Sequence, residues 1–163
     1  MLVMALVDVV DEKDCVIQST LLNKTTNSDI LRCAVVFLVN NKNEILLQLR
    51  SKTEKTYPLH WDLSAGGHLN SGEDYIDGAK REMFEEIGVK VNLEFLDKYL
   101  FEADGGRLYF SALFKGEFSG KFKIDRKEVS EVKFFSVDDI KKMIKNGEKF
   151  HPECLFALKR RFL

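Results

Sequence analysis

The residues GHLNSGEDYIDGAKREMFEEIGV, Gly67 to Val89, carry a helix of uncommon composition. Ile76, Ala79, Met83 and Ile87 recur at helical spacing and form one apolar stripe. At about 100° per residue, Glu82, Glu85 and Glu86 fall within an arc of about 100° beside it. Gly88 ends the helix, as glycine commonly does just past a helix terminus. Ser71 is the expected N-cap. Gly78, one turn before Glu82, keeps side-chain bulk off the acidic face or allows close packing.

The acidic trio breaks two local rules. Carboxylates three and four residues apart repel by about 0.2–0.5 kcal/mol per pair. They also crowd the last turn, where the helix dipole disfavours each negative charge by about 0.3–1 kcal/mol. A solvated glutamate patch is the ordinary explanation, but it leaves the position at the wrong helix end unexplained. A divalent cation removes both penalties, and an oxygen-only donor set suits Mg²⁺ or Mn²⁺.

Gly67, then Glu73 after five residues, then Arg81-Glu82 after seven, Met83, Phe84, Glu85-Glu86, Ile87, Gly88 and Val89 match the Nudix box at every fixed position. Such a pattern arises by chance about once in 10⁷ chains of this length. The chain thus resembles the Nudix hydrolases. The resemblance implies an α/β fold, a Nudix-type α/β/α sandwich around a mixed β-sheet.

The rest of the chain is compatible with this. Its 163 residues are expected to form one domain, 1–163. A net charge of −1 gives no reason to expect nucleic acid or an anionic membrane as partner. No apolar run approaches the roughly 20 residues of a spanning helix. The apolar start MLVMALVDVV lacks a basic leader and is broken by Asp8, so a secretory signal is not expected. Cys15, Cys33 and Cys154 are scattered and odd in number, which suits a reducing cytoplasm and three small buried hydrophobes.

In chain order, Leu6–Val10 and Cys15–Ser19 read as a hairpin, and 20–29 as a loop. Cys33–Val39 reads as a buried strand, with Ile45–Leu49 after a turn. Residues 50–60 form a basic, polar loop. Trp61–Ala65 is a short strand ending at a Gly66-Gly67 turn, where backbone N–H groups approach an anionic ligand. Further strands are expected over Phe95–Phe101, Arg107–Phe114 and Val132–Ser136. A helix capped by Ser136 follows to about Lys145. Pro152 starts a last helix that buries Leu155, Phe156 and Leu158.

The resemblance makes Glu82, Glu85 and Glu86 the metal positions, Glu86 and Glu82 foremost, for Mg²⁺ or Mn²⁺. Bound cation stabilises charge on a diphosphate leaving oxygen and acidifies water. Arg81 and Glu73 are expected to form a bidentate pair that ties the loop to the helix. The general base is either a box glutamate or an acid on a later loop, Glu128 or Glu131. Arg50 and Lys55, with Gly66 and Gly67, are the candidates for diphosphate contact. Tyr57 and Trp61 suit either base stacking or the core, and His68 either a ligand contact or a structural hydrogen bond.

LVDVVDEKDCVIQ, ILLQLRSKTEKTYPLHWD, EVSEVKFFSVDDI and FHPECLFALKR resemble the isopentenyl-diphosphate isomerase-like branch. True isomerases carry a catalytic cysteine just before the box, where this chain has Gly66. Without that thiol the allylic carbon lacks half of its acid–base pair. The substrate implied is a small diphosphate, nucleotide-derived. Isomerisation and nucleotide sensing without turnover are the alternatives. Loops near 20–30, 50–60 and 101–107 are expected to choose the group beyond the diphosphate.

Overall fold

The computed structural model describes residues 4–163, so the first three residues of the apolar N-terminal run lie outside the described residues. Strands β1 (Leu6–Val10) and β2 (Val16–Leu21) form the expected hairpin. They are followed by β3 (Leu31–Val39), β4 (Ile45–Arg50), β5 (Trp61–Asp62) and β6 (Ala65–His68). Helix α1 (Tyr75–Ile87) precedes β7 (Leu93–Glu102), β8 (Leu108–Glu117) and β9 (Val129–Phe135). Helices α2 (Val137–Lys145) and α3 (Pro152–Arg161) close the chain.

β3 to β9 form a seven-stranded mixed sheet in which only β3 and β8, among the described strands, run parallel. β3 is apolar almost throughout because both of its faces are covered. Ala34, Val36 and Leu38 pack with Ala79, Met83 and Ile87 of α1. Val35, Phe37 and Val39 pack with Ile140 of α2 and Cys154, Ala157 and Leu158 of α3. This is the α/β/α sandwich.

The sheet splits, and the split positions the site. β3 and β4 pair at Val39–Ile45 next to their turn and then diverge. β6 takes the vacated edge of β3, and β5 takes that of β4. Ser64, at the fork, accepts from the Leu38 N–H at 2.8 Å and donates to the Leu46 carbonyl at 2.6 Å. Its hydroxyl stands in for the missing ladder bonds, which would otherwise be costly to leave buried.

Four local expectations change. Gly66 and Gly67 lie in β6, paired with Val35 and Ala34, rather than in a turn. Helix α1 starts at Tyr75 after Asp74, while Ser71 donates at 2.6 Å to Asp8 and so anchors the loop to β1. Cys15 is exposed, because it sits beside the hairpin turn. Phe156 is 37% exposed; it lies over Tyr99 and Phe101 as a lid, with Ala157 and Leu158 facing inward instead.

Candidate functional site

Helix α1 brings its acidic residues to the open fork of the sheet. Glu86 is 5% exposed. Its Oε2 accepts from the Gly66 N–H at 3.0 Å and from Gln48 Nε2 at 3.3 Å. The Gly66 N–H expected to meet an anionic ligand is therefore already engaged by the protein's own carboxylate. Glu82 comes within reach because Gly67 has no side chain: a Cβ there would stand 2.5 Å from Glu82 Oε1. A Cβ at Gly66 would press on Val35 Cγ1 at 2.9 Å and on the Ala34 carbonyl at 3.0 Å. A cysteine at 66 does not fit without moving β3.

Arg81 is the hub that arranges these acids. Its Nε and Nη2 grip both oxygens of Glu73 at 2.8 and 3.0 Å, the expected bidentate pair. Nη2 also donates to the His68 carbonyl at 3.0 Å, while Nη1 reaches Glu82 at 2.8 Å and Glu85 at 3.2 Å. Glu73 in turn accepts from the Asn70 N–H at 2.9 Å, so the loop, β6 and the helix are locked through one guanidinium. Glu85, with a side chain 55% exposed, is drawn toward Arg81.

The electrostatics separate the acids. Burial alone would raise Glu73, but the Arg81 and Asn70 hydrogen bonds and the Arg81 charge hold it below the ordinary carboxylate value. Burial raises Glu82 in spite of Arg81, with the Glu85 and Glu128 charges adding to it. Burial pushes Glu86 well up, helped by Glu82 and Glu128 and opposed by the Gly66 N–H. Two carboxylates therefore sit together in a dry place, both raised above the ordinary carboxylate value chiefly by burial.

The helix end is fixed from the other side of the fork. The Lys123 and Asp125 N–H groups donate to the Ile87 and Glu86 carbonyls, satisfying two otherwise orphaned acceptors. Gly88 adopts φ +71°, and a Cβ there would meet Lys123 Cβ at 2.8 Å. That segment carries half-buried Glu128 toward Glu82 and Glu86, whose titration it perturbs. Glu131 is exposed on β9 opposite Leu49.

On the opposite face of the sheet lies a cavity of about 520 Å³. Gly67 lines it and also abuts Glu82, so β6 is a wall common to the cavity and the acids. Arg50 lines it too, bound to Asp62 at 3.0 Å, Glu54 at 3.1 Å and the carbonyls of Thr56 and Tyr57. It thereby holds a loop in which Tyr57 and Leu59 have positive φ. Tyr57 closes the rim by donating to Asp104 in the β7–β8 turn. Residues 20–30 do not line the cavity; Thr25 and Asn27 brace that turn through Arg107 and the Gly105 carbonyl.

The NUDIX domain profile matches residues 30–158, most of the chain and all of the site just described. This chain belongs to the Nudix family. It is 34% identical over 104 residues to an uncharacterised Nudix hydrolase of Pseudomonas aeruginosa, over 63% of this chain and 61% of that one. The chain spans between half and two-thirds of the length of this and another curated relative. It is 28% identical to an isopentenyl-diphosphate Delta-isomerase of Photorhabdus laumondii, over 76% of this chain and 74% of the isomerase. A Deinococcus radiodurans crystal structure shares the fold at a TM-score of 0.84, with 21% identity over 97% of this chain and 99% of that one. The NUDIX domain of Shewanella oneidensis NrtR, solved with ADP-ribose, does so at 0.64, with 18% identity over 79% and 84%.

Nudix enzymes generally use divalent metal ions, and the fork of this Nudix chain fits one. Glu82 and Glu86 present only oxygens, burial raises both, and the one guanidinium that reaches Glu82 is shared with Glu73 and Glu85. As the side chains stand, no three His, Cys, Asp or Glu residues among the described ones form a ready cage, and Glu85 leans to Arg81. Of the other named residues, Lys55 is exposed outside the cavity and Trp61 packs edge-on against Phe135 in the core. His68 is in the cavity wall, held to about 4 by burial and the Arg107 charge, and hence neutral.

Sequence reading missed Gln48, Asp62, Ser64 and Glu153. Gln48 had a signal, a lone amide inside the apolar run ILLQLR. Glu153 had none of its own, since an acid in a first helical turn is the ordinary complement of the helix dipole.

Proposed function

We propose that this protein is a metal-dependent pyrophosphohydrolase that cleaves the diphosphate linkage of a nucleoside diphosphate joined to a further group. The burial of Glu86 against Glu82, beside a glycine that makes room, is the observation that carries this reading. Glu82, Glu86 and Glu85 would hold a divalent ion, Mg²⁺ or Mn²⁺, which supplies charge neutralisation at the diphosphate and acidifies a water.

The protein's own groups do the rest. Arg81 and Glu73 fix the acids in position. Glu128 faces them from the 119–128 segment and serves as base, taking a proton as the water oxygen bonds to phosphorus. The P–O bond to the bridging oxygen breaks, and two phosphate monoesters leave. The ADP-ribose held by the Shewanella domain supports a nucleotide-derived substrate.

The isomerase alternative is disfavoured by the lack of room for a side chain at Gly66. The test is a panel of nucleoside diphosphate derivatives with Mg²⁺, read by release of phosphate monoesters. Turnover of some panel member that chelator abolishes is the expected result. Binding without turnover would give the sensor reading, and dimethylallyl diphosphate formed from its isomer would give the isomerase.

A further inference from the structure

Alternation along β1 sends Val7 and Val9 into a small cluster with Leu31 and leaves Asp8, between them, facing the other way. Asp8 is nonetheless only 8% exposed. Its Oδ1 accepts from Ser71 Oγ and Ser19 Oγ, each at 2.6 Å, and its Oδ2 from the Gly72 N–H at 2.9 Å. The Ser71 N–H donates to the Leu6 carbonyl at 2.8 Å. At the turn of the same hairpin, Asp14 accepts from Tyr75 Oη at 2.9 Å, on the first residue of α1. The hairpin thus holds residues 71–75 at both ends. Asp14 is also paired with Arg32 and Lys98, which tie it to the main sheet, whereas the donors to Asp8 belong to β2 and the loop.

The stretch so held contains Glu73. Asn70 and Arg81 grip the Glu73 carboxylate directly, and the Glu73 N–H donates back to the Asn70 carbonyl at 3.0 Å. Gly72, immediately before it, turns the chain at φ +76°, a conformation that glycine does not by itself fix. Where Glu73 stands decides where Arg81 stands, and Arg81 reaches Glu82 and Glu85. We propose that Asp8 is a positioning residue of the hydrolytic site: through Ser71 and Gly72 it sets the place of Glu73 and, through Arg81, of the helix acids. This rests on the metal-dependent reading above. The NUDIX domain profile begins at residue 30, so the hairpin lies outside the part of the chain that it matches.

The chemistry of the contact fits a holding role. A carboxylate only accepts, and the three groups aimed at Asp8 all donate. Burial would raise Asp8, but the Gly72 N–H, the Ser19 and Ser71 hydroxyls and the Arg32 charge hold it below the ordinary carboxylate value. It is therefore ionised near pH 7, and hydrogen bonds to an ionised acceptor are about twice as strong as neutral ones. An apolar side chain at position 8 would serve the packing of β1, but it would leave the Gly72 N–H without its acceptor.

The experiment is calorimetric binding of Mn²⁺ to the full chain, with Asp8→Asn as the variant. Asparagine keeps the shape and one acceptor oxygen but turns an NH₂ group toward either Gly72 or the two hydroxyls. Mn²⁺ affinity should fall about tenfold, the low end for groups that support metal ligands. In EDTA, with no metal bound, the Asn70 amide, whose acceptor is Glu73, should lose protection from hydrogen exchange. Ile140→Val, buried on the α3 face, lowers stability without touching the loop and should bind Mn²⁺ as wild type does. Should Asp8→Asn fail to fold, Ser71→Ala removes one of the same contacts and should move both readouts in the same direction, by less. Unchanged Mn²⁺ affinity in Asp8→Asn, unchanged exchange at Asn70, or an equal loss of affinity in Ile140→Val would each overturn the proposal. A wild type that holds Mn²⁺ but turns over no diphosphate would sink the hydrolase reading alone, and the binding and exchange readouts would still decide this one.

Discussion

On the α1 face of the sheet, Glu82 and Glu86 are buried side by side. On the α3 face, Glu153 is buried beside a tyrosine and a serine. Burial raises all three carboxyls, so desolvation alone does not separate their roles. What separates them is the company. The pair faces like charge from itself and from Glu128, and its one cation, Arg81, is shared with Glu73 and Glu85. Its remaining deficit is one of positive charge. Glu153 is raised chiefly by burial, with the Asp62 charge adding to it and hydrogen bonds from the neutral Ser111 and Tyr99 opposing it, and no cation is among the groups that shift it. A buried acid facing like charge suits a cation, whereas one facing neutral donors is met by their hydrogen bonds.

The largest test of this contrast is Glu86→Gln. Turnover with Mg²⁺ should fall by about 10³-fold or more. The stability effect has the opposite sign. The folded-state value of Glu86 stands above the unfolded 4.5, so folded, metal-free protein holds this proton more tightly than the unfolded chain does. That contribution is full below pH 4.5 and is lost as pH rises through the folded value. Glutamine cannot ionise, so the metal-free variant at pH 8 should melt at or above wild type. Mg²⁺ should raise the melting temperature of wild type and leave the variant nearly unmoved. A variant that melts well below wild type without metal would make Glu86 a structural acid like any other.

This contrast also shows what could be read before the fold was known. The helix, its apolar stripe and its acids were legible because they lie within one short segment, where spacing alone sets which side chains share a face. The bidentate Arg81–Glu73 pair was legible for the same reason. The fork was not, because β5 and β6 are two and four residues long and their pairing with β4 and β3 is a tertiary fact. Gly66 and Gly67 looked like a turn since glycine pairs so often are one; here each is required by what lies across from it, Val35 and Glu82. Glu153 was illegible because its meaning depends on Tyr99 and Ser111, 54 and 42 residues distant in the chain.

Arg81→Lys gives the next effect in size. A lysine keeps the charge but cannot grip both Glu73 oxygens while reaching Glu82 and the His68 carbonyl. Activity at saturating substrate should drop about 10- to 100-fold, with more Mg²⁺ needed for half-maximal rate. The pH behaviour supplies a second readout. Glu73 is held below its unfolded value, so its stabilisation is present above pH 4.5 and is lost as pH falls through the folded value. In Arg81→Lys that acid limb of the melting curve should shrink. An unchanged limb and an unchanged Mg²⁺ requirement would mean that Glu73 and Arg81 do not position the acids.

Gly78→Ala should give the smallest effect, and two opposed terms set its sign. Alanine in a helix interior is favoured over glycine by about 1 kcal/mol. Against that, a Cβ at 78 would meet Glu73 Oε2, Leu69 Cδ1 and Leu69 Cγ, each at 3.2 Å, so these atoms must give way by a few tenths of an ångström. Leu69 is 3% exposed and packed against Ala79, so it has little room, and the displacement falls on Glu73. That oxygen is the one that accepts from both Asn70 and Arg81. Stability should therefore change by less than about 1 kcal/mol in either direction, while turnover falls about two- to tenfold through misplaced acids. If turnover holds and the melting temperature rises, Glu73 tolerates the shift and the α1 face is less tightly positioned than its hydrogen bonds imply.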